Sequence, residues 1–262
     1  MGAFVVAVAE IAGSLDSEAS AIAALIGLTA YDVKARLASP LPRVLFQTPS
    51  GETARRVLQG LRERGHGALL VDASTIPRTT DLVRVHRFVL DETALFADGP
   101  ASDRLAHRDL AAIIAAAVRA SVLRSTREKE LRPQGARPPA TIEVEHQAHE
   151  SVVEHAIYLF PRASGVARPR PWLVLEHQAS YLGLGPAMRL TRRENLATLL
   201  TRLRDRAAHA RFDDRFVSRP LATEQLVSVR GRSSPEAPPP DAGATMHVYL
   251  LAEWLLGGNP YR

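Results

Sequence analysis

Between residues 43 and 72 the apolar positions change rhythm twice. A short run, Arg43-Val44-Leu45-Phe46, gives way to a helical stripe and then to a second run, Ala68-Leu69-Leu70-Val71. The stripe, Ala54, Val57, Leu58 and Leu61, recurs at three-and-four spacing. Thr48-Pro49-Ser50 supplies capping hydroxyls and a proline suited to a first turn, and Gly65 and Gly67 supply the exit. Upstream, Phe4 to Ala9 reads as a strand, and Glu18 to Ile26 and Tyr31 to Ala38 read as helices. Residues 1–74 are therefore expected to form a small α/β sandwich in the order β-α-α-β-α-β.

Residues 75–81, with Ile76-Pro77-Arg78-Thr79-Thr80, have the composition of a linker. Residues 82–217 then turn to β patterning. Val83, Val85 and His86 to Leu90 are extended and apolar-rich, Asp91-Glu92 makes a turn before Ala94-Leu95-Phe96, and Asp98-Gly99-Pro100 makes another. Leu110, Ile113, Ile114, Ala117 and Val118 fit a helix, while Ile113 to Leu123 would also serve as a buried strand; alanine richness tips the first half to helix. Val122 to Leu131 and Thr141 to Phe160 read as two long polar strands joined across Pro133 to Pro139, a projecting hairpin. Trp172 to Leu175 is a further strand, and Tyr181 to Leu190 a glycine-broken one. Thr191 and Glu194 form a capping box before the stripe Leu196, Leu199, Leu200 and Leu203, a helix expected to close the β domain. Residues 218–244 are a proline-rich linker, and 245–262 a short apolar helix carrying Met246, Tyr249, Leu250 and Trp254. That helix either docks back on its own domain or is a tethered peptide for a groove on a partner. The expected fold class is α+β: the small sandwich, then a mainly antiparallel β domain closed by a C-terminal amphipathic helix.

Composition narrows the function more than it directs it. The 262 residues are 46% hydrophobic, enough for one large or two modest cores. The absence of cysteine removes disulfides, thiolate nucleophiles and cysteine-ligated zinc. Met1 to Val6 lacks the basic region of a secretory signal, Val6 stands where a myristoylation motif wants a hydroxyl, and no run reaches the roughly twenty apolar residues of a membrane span. A cytoplasmic location is expected. The net charge of +5 comes almost entirely from arginine, Lys34 and Lys129 being the lone lysines. The arginines are interleaved with acids, as in Arg62-Glu63-Arg64, and read as a solvated face.

Glu143, Glu145, His146, His149, Glu150, Glu154 and His155 form the densest set of candidate ligands. His149-Glu150 is followed by Val153 where a zincin needs its second histidine. On a continuous strand His149 and His155 share one face roughly 20 Å apart, at about 3.3 Å per residue, with His146 on the other. A helical turn would instead gather His146, His149 and Glu150. Gly183-Leu184-Gly185 lacks the remainder of a dinucleotide loop, and Trp172, Tyr158 and Phe160 sit among apolar neighbours as core residues do. No metal, cofactor or catalytic residue is assigned.

Residues 3–72 resemble the C-terminal domain of the bacterial ribosomal stalk protein. Phe4 and its strand, Gly27-Leu28, Lys34, and Ser50, Ala54, Val57, Leu61 and Gly65 carry the resemblance. It implies that fold and, in the family, recruitment of translational GTPases through a basic face on the first two helices. Thr29 replaces the second glycine of the family's turn, and Ser20, Ala23 and Tyr31 stand at its basic positions. The resemblance thus implies the fold with a different contact. The second half is similar, by order of elements, to a bacterial pleckstrin-homology-type barrel.

The expectation is a non-enzymatic adaptor or scaffold that holds a protein partner through Tyr31, Lys34 and Arg36, through Arg124, Arg127 and Arg132 on the hairpin, and through Trp254. One alternative is an RNA- or ribosome-associated basic protein, and a second is a metal-dependent hydrolase using His146, His149 and His155. The charge would also suit an anionic lipid surface.

Overall fold

The computed structural model describes residues 3–97, 103–134, 137–163, 169–221 and 242–257, with residues 119–134, 137–152 and 242 described as backbone alone. The first six elements are β1 (Phe4–Glu10), α1 (Leu15–Ile26), α2 (Ala30–Leu37), β2 (Arg43–Thr48), α3 (Gly51–Glu63) and β3 (Gly67–Asp72). Each helix starts at a hydroxyl that accepts a first-turn amide: Ser14 for α1, Thr29 for α2 and Ser50 for α3. The strands pair antiparallel in the order β2-β1-β3. Strand alternation then divides the apolar residues between two cores. Val6, Val8, Leu45 and Leu70 pack against Ile22, Val33, Val57 and Leu61 of the helices. Ala7, Ala9, Leu69 and Val71 belong to a different cluster behind the sheet.

The chain continues through β4 (Val83–Arg84), β5 (Phe88–Leu90), β6 (Ala94–Ala97), β7 (Asp103–Ala106), β8 (Leu110–Gln134), β9 (Arg137–Pro161), β10 (Trp172–Leu175), α4 (Arg192–Arg206), β11 (Arg211–Leu221) and α5 (Ala242–Leu255). β5, β6 and β7 form an antiparallel meander. The larger sheet has the order β11-β8-β9-β10-β4, antiparallel at its centre, with β11 and β4 joining in parallel at its two edges. The fold is α+β.

Three local expectations are corrected. Residues 110–118 are strand, not helix, because their alternation serves two cores. Ala112, Ile114, Ala116 and Val118 face one, while Leu110 and Ile113 join the other. Tyr181 to Ala187 is a short 3-10 turn rather than a broken strand. A Cβ on Gly183 would stand 2.0 Å from the Phe88 carbonyl oxygen, and Gly185 takes φ 55°, ψ −129°, a conformation reserved for glycine. Strand β11 extends to Leu221, past the expected boundary at 217. The Asp98-Gly99-Pro100 turn and residues 222–241 of the proline-rich linker lie outside the described residues.

The C-terminal helix α5 is a layer of the core. Ala7 and Val71 of the first sheet, Ile114, Tyr158 and Phe216 of the second, and Met246, Val248, Leu250 and Leu251 of α5 share one cluster. α5 is apolar on all sides because it has a sheet on each. Its polar residues are satisfied in place. Arg43 Nη1 donates to His247 Nε2 at 3.2 Å, His247 Nδ1 donates to the Pro42 carbonyl at 3.2 Å, and Thr245 and Thr79 share a 3.1 Å hydroxyl bond. Arg215 of β11 donates to the Leu41 carbonyl at 3.3 Å, so both later elements grip the turn before β2.

Candidate functional site

Strands β8 and β9 outrun their neighbours. β11 last pairs at Leu221↔Val118 and β10 at Leu175↔Ala156. Beyond these, β8 and β9 pair only with each other among the described residues, from Arg119↔Val153 to Gln134↔Arg137. The ribbon is about 16 residues long on each strand, or roughly 50 Å at about 3.3 Å per residue. Arg127 stands opposite Glu145, and Lys129 opposite Glu143. A two-stranded ribbon is marginal in water, and each edge presents a row of backbone donors and acceptors.

At the root of the ribbon two Glu-His dipeptides cross-link β9 to the chain leaving β10. His155 Nδ1 lies 3.0 Å from Glu176 Oε2, and Glu154 Oε1 accepts the His177 amide at 3.1 Å, with the His177 ring 3.8 Å away. Arg193 approaches Glu176 at 3.8 Å, and Arg192 donates to the carbonyls of His177 and Ala179 at 2.9 and 3.1 Å. Tyr181 donates to the Glu176 carbonyl at 3.1 Å, its hydroxyl held protonated first by burial and next by the Glu176 charge. Burial, and then Arg193, pushes the His155 imidazole below its ordinary value despite Glu176. A neutral His155 can still donate from Nδ1, so the clamp works without a proton from solvent. Both glutamates are nearly buried and bonded, as buried carboxylates must be. Beside this root a cavity of about 100 Å³ is lined by His155, Arg193, Leu196, Leu200 and Val217.

The residues expected to bind a partner fall in three places. Tyr31 on α2 is 79% exposed. Lys34 pairs with Asp16 at 2.5 Å, and Arg36 donates to the Leu45 carbonyl at 2.8 Å, so both cations are engaged within the chain. Arg124, Arg127 and Arg132 stand opposite Ala148, Glu145 and Ala140 on the ribbon, their side chains outside the described residues. Trp254 is partly buried on the core, its ring reaching the space a Cβ on Gly67 would fill. His146, His149 and His155 lie along continuous β9, in register with Thr126, Leu123 and Ala117, and are not brought together. Among the described residues no three His, Asp or Glu side chains converge as metal ligands. The root clamp was missed, although the dipeptide Glu-His recurs at 154–155 and 176–177. Its meaning depended on β9 and β10 being neighbours. Comparison with known families, with curated proteins and with solved structures finds no match to this chain.

Proposed function

We propose that this chain is a non-enzymatic adaptor that presents the β8–β9 ribbon to a protein partner. One observation carries the reading: a two-stranded ribbon roughly 50 Å long extends past both flanking strands, with its edges unpaired among the described residues. Such a ribbon gains stability when another strand completes its hydrogen bonding, the mode known as β-augmentation. The alternating register of Arg127 with Glu145 and Lys129 with Glu143 suits a partner of mixed charge better than a polyanion. In the ribbon register Arg124 and Arg132 stand opposite alanines rather than carboxylates.

The test replaces residues 120–152 with Asn-Gly, which closes a tight hairpin on the Arg119↔Val153 pair and leaves the core strands intact. Full-length and shortened chains are compared for complex formation by co-purification with nuclease present, followed by sedimentation of the purified complex. A defined protein bound at fixed stoichiometry and lost with the ribbon supports the adaptor. Retention of the same partner by the shortened chain, or recovery of RNA alone in a parallel purification without nuclease, overturns it.

A further inference from the structure

The turn following β10 displays three large apolar side chains to solvent. Leu190 is 102% exposed, Leu182 77% and Met188 49%. They are held there by well-anchored backbone. Tyr181 and Leu184 are buried in the core on either side of Leu182, and Gly183 rests on the Phe88 carbonyl. Asn195, itself buried, accepts the Arg189 amide at 2.6 Å and donates to the Arg189 carbonyl at 3.0 Å, while Thr191 and Glu194 cap α4 immediately after Leu190. A tightly fastened turn that points leucines outward keeps apolar area in water that the fold could have spared. None of the three lines any of the four cavities described, so they project rather than form a groove. Arg189, Arg192 and Arg193 share the segment, all exposed, and no carboxylate interrupts residues 178–193; Arg192 keeps its charge while donating to the His177 and Ala179 carbonyls, Arg193 approaches Glu176 at 3.8 Å, and Glu194 is engaged in the helix cap.

Projecting apolar side chains with Arg189 between Met188 and Leu190 match the interfacial zone of an anionic bilayer, where apolar side chains enter the acyl boundary and guanidinium groups meet lipid phosphate. A protein groove would suit a concave or flat apolar face, and a polyanion would not use the leucines. We propose that residues 182–193 are a peripheral membrane contact, with Leu182, Met188 and Leu190 inserted, Arg189 on the headgroups, and Arg192, still cationic on its carbonyl partners, adding to the local positive field. No helix among the described residues is long and apolar enough to cross a membrane. The contact uses the turn before α4 rather than the backbone edges of the ribbon and does not depend on the adaptor reading.

The test is co-sedimentation of the full chain with phosphatidylcholine vesicles and with vesicles containing about one quarter phosphatidylglycerol, at about 0.1 M salt. Binding to the anionic vesicles is expected, with loss of roughly tenfold in partitioning for each leucine removed in Leu182→Ser and Leu190→Ser. Because the chain has no cysteine, Leu190→Cys takes a single polarity-sensitive label, whose emission should shift to the blue on anionic vesicles. No binding to anionic vesicles, binding unchanged by the double serine variant, or a label that stays solvent-exposed overturns the proposal. So does the finding that the double variant abolishes self-association without changing lipid binding, which would make the patch an interface between copies.

Discussion

Replacing Leu250 with alanine tests whether α5 is a structural layer or an appendage. Leu250 is 0% exposed and belongs to the cluster that contains Ala7 and Val71 of the first sheet and Ile114, Tyr158 and Phe216 of the second. Leucine-to-alanine changes at such sites remove the transfer free energy of the lost methyl groups and leave a cavity, costing about 2–5 kcal/mol. With sheets fixed on both sides the site has little room to collapse, so about 3–4 kcal/mol is expected. For a urea slope of about 3 kcal/mol/M the midpoint then falls by about 1 M. The two tryptophans read the two sides separately. Trp254 lies against Gly67 of β3, whereas Trp172 is buried in the cluster behind the larger sheet. Fluorescence of Trp172→Phe and Trp254→Phe backgrounds should report coincident transitions, both shifted by Leu250→Ala. A loss below about 0.5 kcal/mol, or a shift confined to the Trp254 probe, would refute the central placement of α5.

Gly183→Ala places a methyl group 2.0 Å from the Phe88 carbonyl oxygen, and a cost of about 2–3 kcal/mol in urea unfolding is expected. Thr191→Ala removes the hydroxyl that accepts the Glu194 amide and should cost about 1 kcal/mol, with the α4 amides exchanging faster by hydrogen-exchange mass spectrometry. His66 and His155 are both pushed below the ordinary histidine value, chiefly by burial. The unfolded chain therefore takes up protons below about pH 6.5 that the folded chain refuses, so their contribution is complete above that pH and is lost as pH falls. The urea midpoint should drop between pH 7.5 and 5.5, and the His66 ring proton should titrate below about pH 6.5 by NMR, a higher value contradicting the assignment.

The first six elements were legible because their local signals agree with their tertiary surroundings. Ser50 precedes a stripe whose four members, Ala54, Val57, Leu58 and Leu61, are the buried residues of α3. Ser14 gives the same signal for α1, which begins at Leu15 rather than at Glu18. The run Ala115-Ala116-Ala117 misled because helix propensity is local, whereas burial between two cores selected the strand. β11 carries Asp213, Asp214, Arg215 and Arg219 and shows no apolar rhythm; its extended form follows from pairing with β8. The root clamp was hidden for a related reason. Glu154 and His177, or His155 and Glu176, become partners only when β9 and β10 lie side by side.

The position of α5 also limits how the N-terminal sandwich can be used. One face of its sheet is covered by α1, α2 and α3, and the other faces α5 and the larger sheet. Apart from the sheet edges at β2 and β3, the helices are the surface of the sandwich left for a contact. On α2 and at the end of α3 three cations are engaged within the chain: Lys34 by Asp16, Arg36 by the Leu45 carbonyl and Arg64 by Glu18 at 2.8 Å. The large exposed group on α2 is the Tyr31 ring. A contact centred on α2 rests on aromatic and apolar burial, and its affinity should change little between about 0.05 and 0.5 M salt, while Tyr31→Ala weakens it by roughly tenfold or more. The proposed membrane contact, which draws on the charges of Arg189 and Arg192, should weaken over the same range. A partner that dissociates with salt yet ignores Tyr31→Ala would show that this face is not the one used.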